Sequence, residues 1–160
     1  MKLWIAVLSL ACITGVAIGQ PWPFQEYPTK VVHGKAAKIS PETGLVRQHI
    51  TVIRKAMENG PNFAGHYTVA EWGCGTACGV YVIIDDLTGK VYAPPEIARG
   101  VDLGVASPEF RPDSTLMVVA NCPAPQVYGL KGCERAFYQW KDSRLLLLKK
   151  EPVKAPEAGR

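Results

Sequence analysis

The sequence is 160 residues long, with 48% hydrophobic and 20% charged residues, and its formal net charge at pH 7 is +4. This length and composition are typical of one globular domain and exclude an intrinsically disordered chain. The excess of positive charge is small and the basic residues are scattered, so no nucleic-acid partner is expected.

The N-terminus has the three-part pattern of a secretory signal peptide. Lys2 supplies a positive charge, an apolar stretch follows, and the small residues Ala17 and Gly19 precede a cleavage point. We expect residues 1–19 to be removed and no transmembrane segment to remain, because the apolar stretch is barely long enough to span a bilayer. Lipidation at Cys12 is the alternative outcome. Both place the domain outside the cytoplasm, in the periplasm or the medium.

An arm and a helix precede the first predicted strand. Residues 20–41 are rich in proline and aromatic residues, which predicts an extended arm whose rings pack on the domain. Ser40-Pro41 is typical of a helix start, and Gly60-Pro61 of a helix end. Between them, apolar residues at helical spacing predict one amphipathic helix that begins as late as Leu45. These residues are Val46, Ile50, Ile53 and Met57.

After the helix the hydrophobic period becomes that of β-strands. Six strands are predicted, over residues 66–72, 80–84, 90–93, 116–120, 136–140 and 145–148. The strongly β-branched segment 80–84 is expected to be a central strand. The fold class is therefore α+β, mainly antiparallel β, with the one amphipathic helix packed on the sheet. Residues 42–150 form a single disulfide-stapled domain, residues 94–114 an irregular connection and residues 151–160 a flexible tail.

The cysteine count predicts two disulfides. Once Cys12 is removed or lipidated, four cysteines remain, and an even number in an exported chain favours disulfides over free thiols. We favour the local pairs Cys74–Cys78 and Cys122–Cys133, while crosswise pairing between the two segments stays open. The same residues allow two alternative hypotheses. One is a thiol–disulfide exchange site at Cys74 and Cys78, and the other is a zinc site that adds His66.

One segment resembles an uncharacterised family of small exported bacterial proteins. It consists of Phe-Ala-Gly-His-Tyr at residues 63–67 and Trp-Gly-Cys-Gly-Thr-x-Cys at residues 72–78. The resemblance extends to the turn at residues 88–91 and the late hairpin, so it covers about residues 45–148. It implies a bacterial protein located in the cell envelope, and it implies no activity, cofactor or catalytic residue.

The glycine-rich loop at residues 73–79 is the strongest candidate site. Three glycines and two cysteines in seven residues combine backbone freedom with a covalent clamp. This composition suits either a rigid binding loop with exposed N–H groups or a structural hairpin end that needs glycine. The candidate binding residues in and near the loop are Asn62, His66, Trp72, Gly73, Gly75 and Thr76.

Catalytic chemistry has less support, because the sequence lacks the common nucleophile, phosphate-binding and metalloprotease motifs. An envelope hydrolase centred on His66, assisted by Asn62, Glu71 or Arg135, is the alternative hypothesis. Strand alternation places Glu71 on the face opposite His66. The adjacent Asp85-Asp86 pair lies at a predicted turn and is assigned to turn chemistry.

The sequence therefore predicts an exported, non-catalytic binding module for a protein or cell-envelope ligand. Inhibitors and immunity proteins are examples of this class. No cofactor and no metal are expected.

Overall fold

The computed structural model describes residues 22–76, 78–102, 107–121 and 132–153. The predicted signal peptide, Cys12 and Cys122 lie outside these residues. Within the described part of the chain, strands predominate, helices are short, and no helix is long and apolar enough to cross a membrane.

The strands form two antiparallel four-stranded sheets. The first contains β1 (Tyr67–Gly75), β2 (Cys78–Asp85), β3 (Val91–Tyr92) and β4 (Val101–Asp102). Strand β2 is central, because it pairs with β1 along its length and with β3 and β4 at its two ends. The second sheet has the order β5 (Glu109–Phe110), β6 (Leu116–Asn121), β7 (Glu134–Lys141) and β8 (Arg144–Pro152).

The α+β, mainly antiparallel class is confirmed, but where the sequence predicted six strands and a single sheet, the described residues contain eight strands in two sheets. The extra strands, β4 and β5, have two residues each and lie in the predicted irregular connection. Two residues are too few to show an alternating pattern. Strand β8 also continues to Pro152, inside the segment expected to be a tail.

Three hydrophobic clusters arrange the elements in layers. Between the two sheets, Tyr81 and Ile83 of the first meet Met117, Val119 and Tyr138 of the second. On the other face of the first sheet, Val82 and Ile84 contact the helices. Because β2 contributes to both clusters, its continuous apolar sequence is explained by burial on both faces.

The predicted helix is divided into α1 (Gly44–Gln48) and α2 (Ile50–Met57). His49 separates them with φ −113° and ψ 17°. The cap of α1 is Thr43, whose hydroxyl accepts from the Val46 N–H at 3.3 Å. The helix therefore starts close to Leu45, and the start signal at Ser40-Pro41 was wrong. A further helix, α3 (Pro95–Ala98), begins at a proline in the segment expected to be irregular.

The proline-rich arm runs from the second sheet to the first. Its aromatic end covers the outer face of the second sheet, where Phe24 is buried beside Phe137. One 3₁₀ turn, Phe24–Glu26, interrupts the extended chain. Further along, the Val32 N–H donates to the Gly65 carbonyl and the Ser40 N–H to that of Gly89. The arm thereby joins both sheets.

Candidate functional site

The tip of the β1–β2 hairpin, residues 73–76 and 78, lies where the two paired strands end. Regular pairing ends at Gly73 and Gly79, and a shift in register then places Gly75 opposite Cys78. Residues 73–76 are all exposed. The strands therefore extend further into the glycine-rich segment than the sequence pattern indicated.

A disulfide closes the tip and confirms the predicted Cys74–Cys78 pair. The two Cα atoms are 5.2 Å apart, which lies within the usual range for a bridge. Since both sulfurs are used in this bond, they cannot serve as thiolate ligands, and the zinc reading with His66 was wrong. Cys133 is also disulfide-bonded, but Cys122, its predicted partner, lies outside the described residues.

Gly100 packs against this disulfide from the neighbouring segment. A Cβ atom at Gly100 would lie 3.0 Å from the Cys78 Sγ and 3.5 Å from the Cys74 Sγ, and its φ is +94°. Immediately afterwards, β4 pairs Val101 with Gly79 and Asp102 with Cys78. The tip is thus braced by a covalent bond and by a third strand, a contact that no local sequence signal indicated.

Trp72 lies below the tip and packs towards the helices. Its indole stacks on the His49 imidazole with ring centroids 4.3 Å apart and planes 14° apart. The ring is partly buried against the helix-side cluster, on the face it shares with Ala70. Trp72 therefore supports the base of the hairpin, and its ring face is already occupied.

Asn62 closes the loop that leads into β1. Its Oδ1 accepts from the Val69 N–H at 2.7 Å, and its Nδ2 donates to the Val69 carbonyl at 3.1 Å. The amide acts as an additional strand partner. Of the six candidate residues, Gly73, Gly75 and Thr76 lie at the exposed tip, whereas Asn62 and Trp72 have structural contacts.

His66 lies just before β1 and faces Asp85. Its Nε2 is 3.8 Å from the Asp85 Oδ1, with side-chain exposures of 31% and 11%. The three groups proposed to assist it have other positions: Asn62 bonds to Val69, Arg135 lies over the Trp22 ring at 4.9 Å, and Glu71 is in the part of β1 whose register partner is Tyr81.

The two adjacent aspartates have different roles. The Asp85 Oδ1 accepts from the Leu87 N–H at 2.9 Å, which is the expected turn chemistry. Asp86 also lies in the turn, but its carboxyl does not serve that turn, because its buried Oδ2 lies 2.8 Å from the Thr68 Oγ1. Burial raises the pKa of Asp86; the Thr68 bond and His66 act against this shift, and the Asp85 charge adds to it. Strand parity could have indicated this, because residue 86 continues the helix-facing series of Val82 and Ile84.

The described residues contain no group of three or more His, Cys, Asp or Glu side chains placed to hold a metal ion. What the hairpin tip offers is exposed backbone, the Thr76 hydroxyl and a shape held by its bridge. In comparisons with known proteins, no family model, no curated protein and no solved structure matches this chain. The function proposed below therefore rests on the chemistry of these residues.

Proposed function

We propose that the protein is an exported, non-catalytic binding module that contacts a protein or cell-envelope ligand through the hairpin tip. One observation carries the proposal: the tip is exposed and contributes to none of the three hydrophobic clusters, yet it is braced by a disulfide and by β4. A braced surface loop that the core does not need has a ready explanation in recognition.

The bracing favours binding for a thermodynamic reason. A flexible loop loses conformational entropy when a partner fixes it, by about 0.5–1.5 kcal/mol for each side chain immobilised. The Cys74–Cys78 bond removes part of that freedom before the partner arrives. A tip with small side chains can also bring its backbone N–H and C=O groups close to a ligand.

Export has independent support from the disulfide. Structural disulfides persist in oxidising compartments and are rare in the reducing cytosol. Together with the signal-peptide pattern at residues 1–19, the Cys74–Cys78 bond supports an exported location. The bacterial origin rests on the resemblance of residues 63–67 and 72–78 alone.

The test compares two variants that each add one positive charge to an exposed site. Thr76→Arg changes the tip, and Leu87→Arg changes the turn at the other end of β2, where Leu87 is 48% exposed. The protein without residues 1–19 is immobilised and exposed to envelope extract from the producing cells. We expect the wild type and Leu87→Arg to retain the same component, and Thr76→Arg to bind it at least about tenfold more weakly, which is about 1.4 kcal/mol.

Equal retention by both variants, or no retention by the wild type, contradicts the proposal. Matching unfolding midpoints of the two variants establish that any loss of binding is local to the tip.

The alternative hydrolase has less support from the geometry. His66 lies beside an aspartate, which is one requirement of a general base. However, Asn62 and Arg135 have other contacts, and Glu71 lies in the part of β1 that pairs with Tyr81. Both tip cysteines are oxidised, so neither supplies a nucleophile.

A further inference from the structure

Asp86 lies just after β2. Together with its partner Thr68, it joins the end of β2, the start of β1, the arm and the end of α2. Its Oδ2 lies 2.8 Å from the Thr68 Oγ1 of β1. Its N–H donates to the His66 carbonyl at 3.0 Å, and its carbonyl accepts from the Ala37 N–H of the arm at 2.8 Å. The Thr68 Oγ1 also lies 3.3 Å from the Gly60 carbonyl oxygen, just beyond α2. Asp86 is 6% exposed and Thr68 is 0% exposed, so these two residues are shielded from bulk water.

The number of protons available at this junction distinguishes the two states of the carboxyl. The Thr68 hydroxyl has one proton, while the Gly60 carbonyl and an ionised Asp86 can only accept, so they would compete for it. A protonated Asp86 instead donates from Oδ2 to Thr68, and Thr68 donates to Gly60. Both bonds are then made with no competition.

The second carboxyl oxygen favours the same state. The Asp86 Oδ1 is buried and has no hydrogen-bond partner among the described residues. A buried, unpaired oxygen costs more free energy when it carries part of a negative charge than when it belongs to a neutral acid. Ionisation would therefore favour a rearrangement that admits water.

We propose that Asp86 is a proton-dependent latch, whose protonated form ties the arm and the end of α2 to the first sheet and whose ionised form loosens them. The arm is the segment affected, because the Ala37 N–H donates a hydrogen bond to the backbone carbonyl of Asp86. Ala37 also lines an open groove of about 530 Å³ between the arm and α2. Loosening the latch changes one wall of that groove.

The charged groups around the junction set the direction of the response. On β2, the Asp85 charge opposes ionisation of Asp86, and before β1 a protonated His66 favours it. The arm contributes Lys38, α2 contributes Arg54, and the residue after α2 is Glu58; all three line the adjoining groove. Burial raises the pKa of Asp86, while the Thr68 hydrogen bond acts against that shift.

The proposed latch predicts the direction in which stability changes with pH. An unfolded aspartate has a pKa of about 3.9. Because the folded pKa is higher, the folded state binds more protons between the two values, so the contribution of Asp86 is full below the unfolded pKa and is lost as pH rises through the folded pKa. In that window, the unfolding constant of the wild type relative to Asp86→Asn rises by up to about tenfold per pH unit.

The experiment measures urea unfolding of the wild type, Asp86→Asn and Asp85→Asn from about pH 4 to about pH 8. Asparagine at 86 keeps the shape and a donor for Thr68 but cannot ionise. We expect Asp86→Asn to lack the loss of stability that the wild type shows as pH rises, and Asp85→Asn to retain it. Hydrogen exchange of the Ala37 amide is measured in the wild type and in Asp86→Asn at each pH. We expect it to become faster in the wild type than in Asp86→Asn over the same window.

A constant difference between the wild type and Asp86→Asn across this range would overturn the proposal. If Asp86→Asn does not fold, the carboxyl carbon of Asp86 in the wild-type protein is followed by NMR. Titration above the ordinary aspartate range supports the latch, and titration within or below that range overturns it.

Discussion

At the scale of single residues, the most demanding contact is that of Gly89 with the arm. Gly89 is buried with φ +74°, and a Cβ atom there would overlap the Lys38 carbonyl oxygen. Its own carbonyl accepts from the Ser40 N–H at 3.1 Å. The absence of a side chain at this turn therefore allows the arm to lie against the connection between β2 and β3.

Replacing Gly89 with alanine should destabilise the fold by at least about 2 kcal/mol, because the left-handed conformation alone costs about 1–2 kcal/mol and the arm must also move. Gly44→Ala is the matched control, since a Cβ atom there meets nothing within 4 Å. In a helix this control should be neutral or stabilise by up to about 1 kcal/mol. Urea unfolding measures both, and equal midpoints would refute the role assigned to Gly89.

At the scale of elements, the helix and hairpin show what periodicity can and cannot reveal. The apolar series of Val46, Ile53 and Met57 identified the buried helical face correctly. It did not reveal the break at His49, because the His49 N–H still donates to the Leu45 carbonyl and its own carbonyl accepts from the Ile53 N–H. The apolar spacing consequently continues across the break.

We expect the disulfide of the β1–β2 hairpin to have a modest and local effect on stability. The Cys74–Cys78 bond closes a loop of few residues, so the entropic model gives about 2 kcal/mol for its removal in the double serine variant. In this variant, hydrogen exchange should accelerate more at Gly79 and Val101, which pair beside the bridge, than at Ile83 and Ile84 in the middle of the sheet. Uniform acceleration along β2, beyond the global loss of stability, would mean that the bridge supports the whole sheet.

At the scale of the whole molecule, the two sheets share one core. Phe63 is fully buried in the cluster that also holds Tyr81 and Ile83 of the first sheet. Its ring lies 5.9 Å from that of Phe110 and 6.3 Å from that of Trp140, both in the second sheet. The arm crosses from one sheet to the other on the outside. Neither sheet can lose these contacts without exposing apolar surface of the other, so we expect a single cooperative transition.

Phe63→Ala should cost about 3–5 kcal/mol through the lost burial and the resulting cavity. The control Val52→Ala, at a side chain that is 38% exposed, should change stability by about 0.5 kcal/mol or less. Circular dichroism and tryptophan fluorescence should report the same urea midpoint in each protein. Two separated transitions in the wild type would show that the sheets unfold independently.

The candidate site was partly predictable for the same local reasons. The spacing of Cys74 and Cys78 within a glycine-rich turn was sufficient to predict their disulfide. Nothing nearby in sequence indicated that Gly100 would pack on the sulfurs, because that contact depends on β4 returning to the end of β2. The bond between Asp86 and Thr68 likewise joins residues on two strands.

The sequence by itself determined the predominance of antiparallel strands, the buried helical face, the central position of β2 and the local disulfide. Each follows from hydrophobic period or from cysteines close together in the chain. Only the tertiary structure decided that there are two sheets, that the arm joins them and that Asp86 is buried. These features depend on contacts between distant segments, and local patterns of polarity do not specify which buried faces will meet.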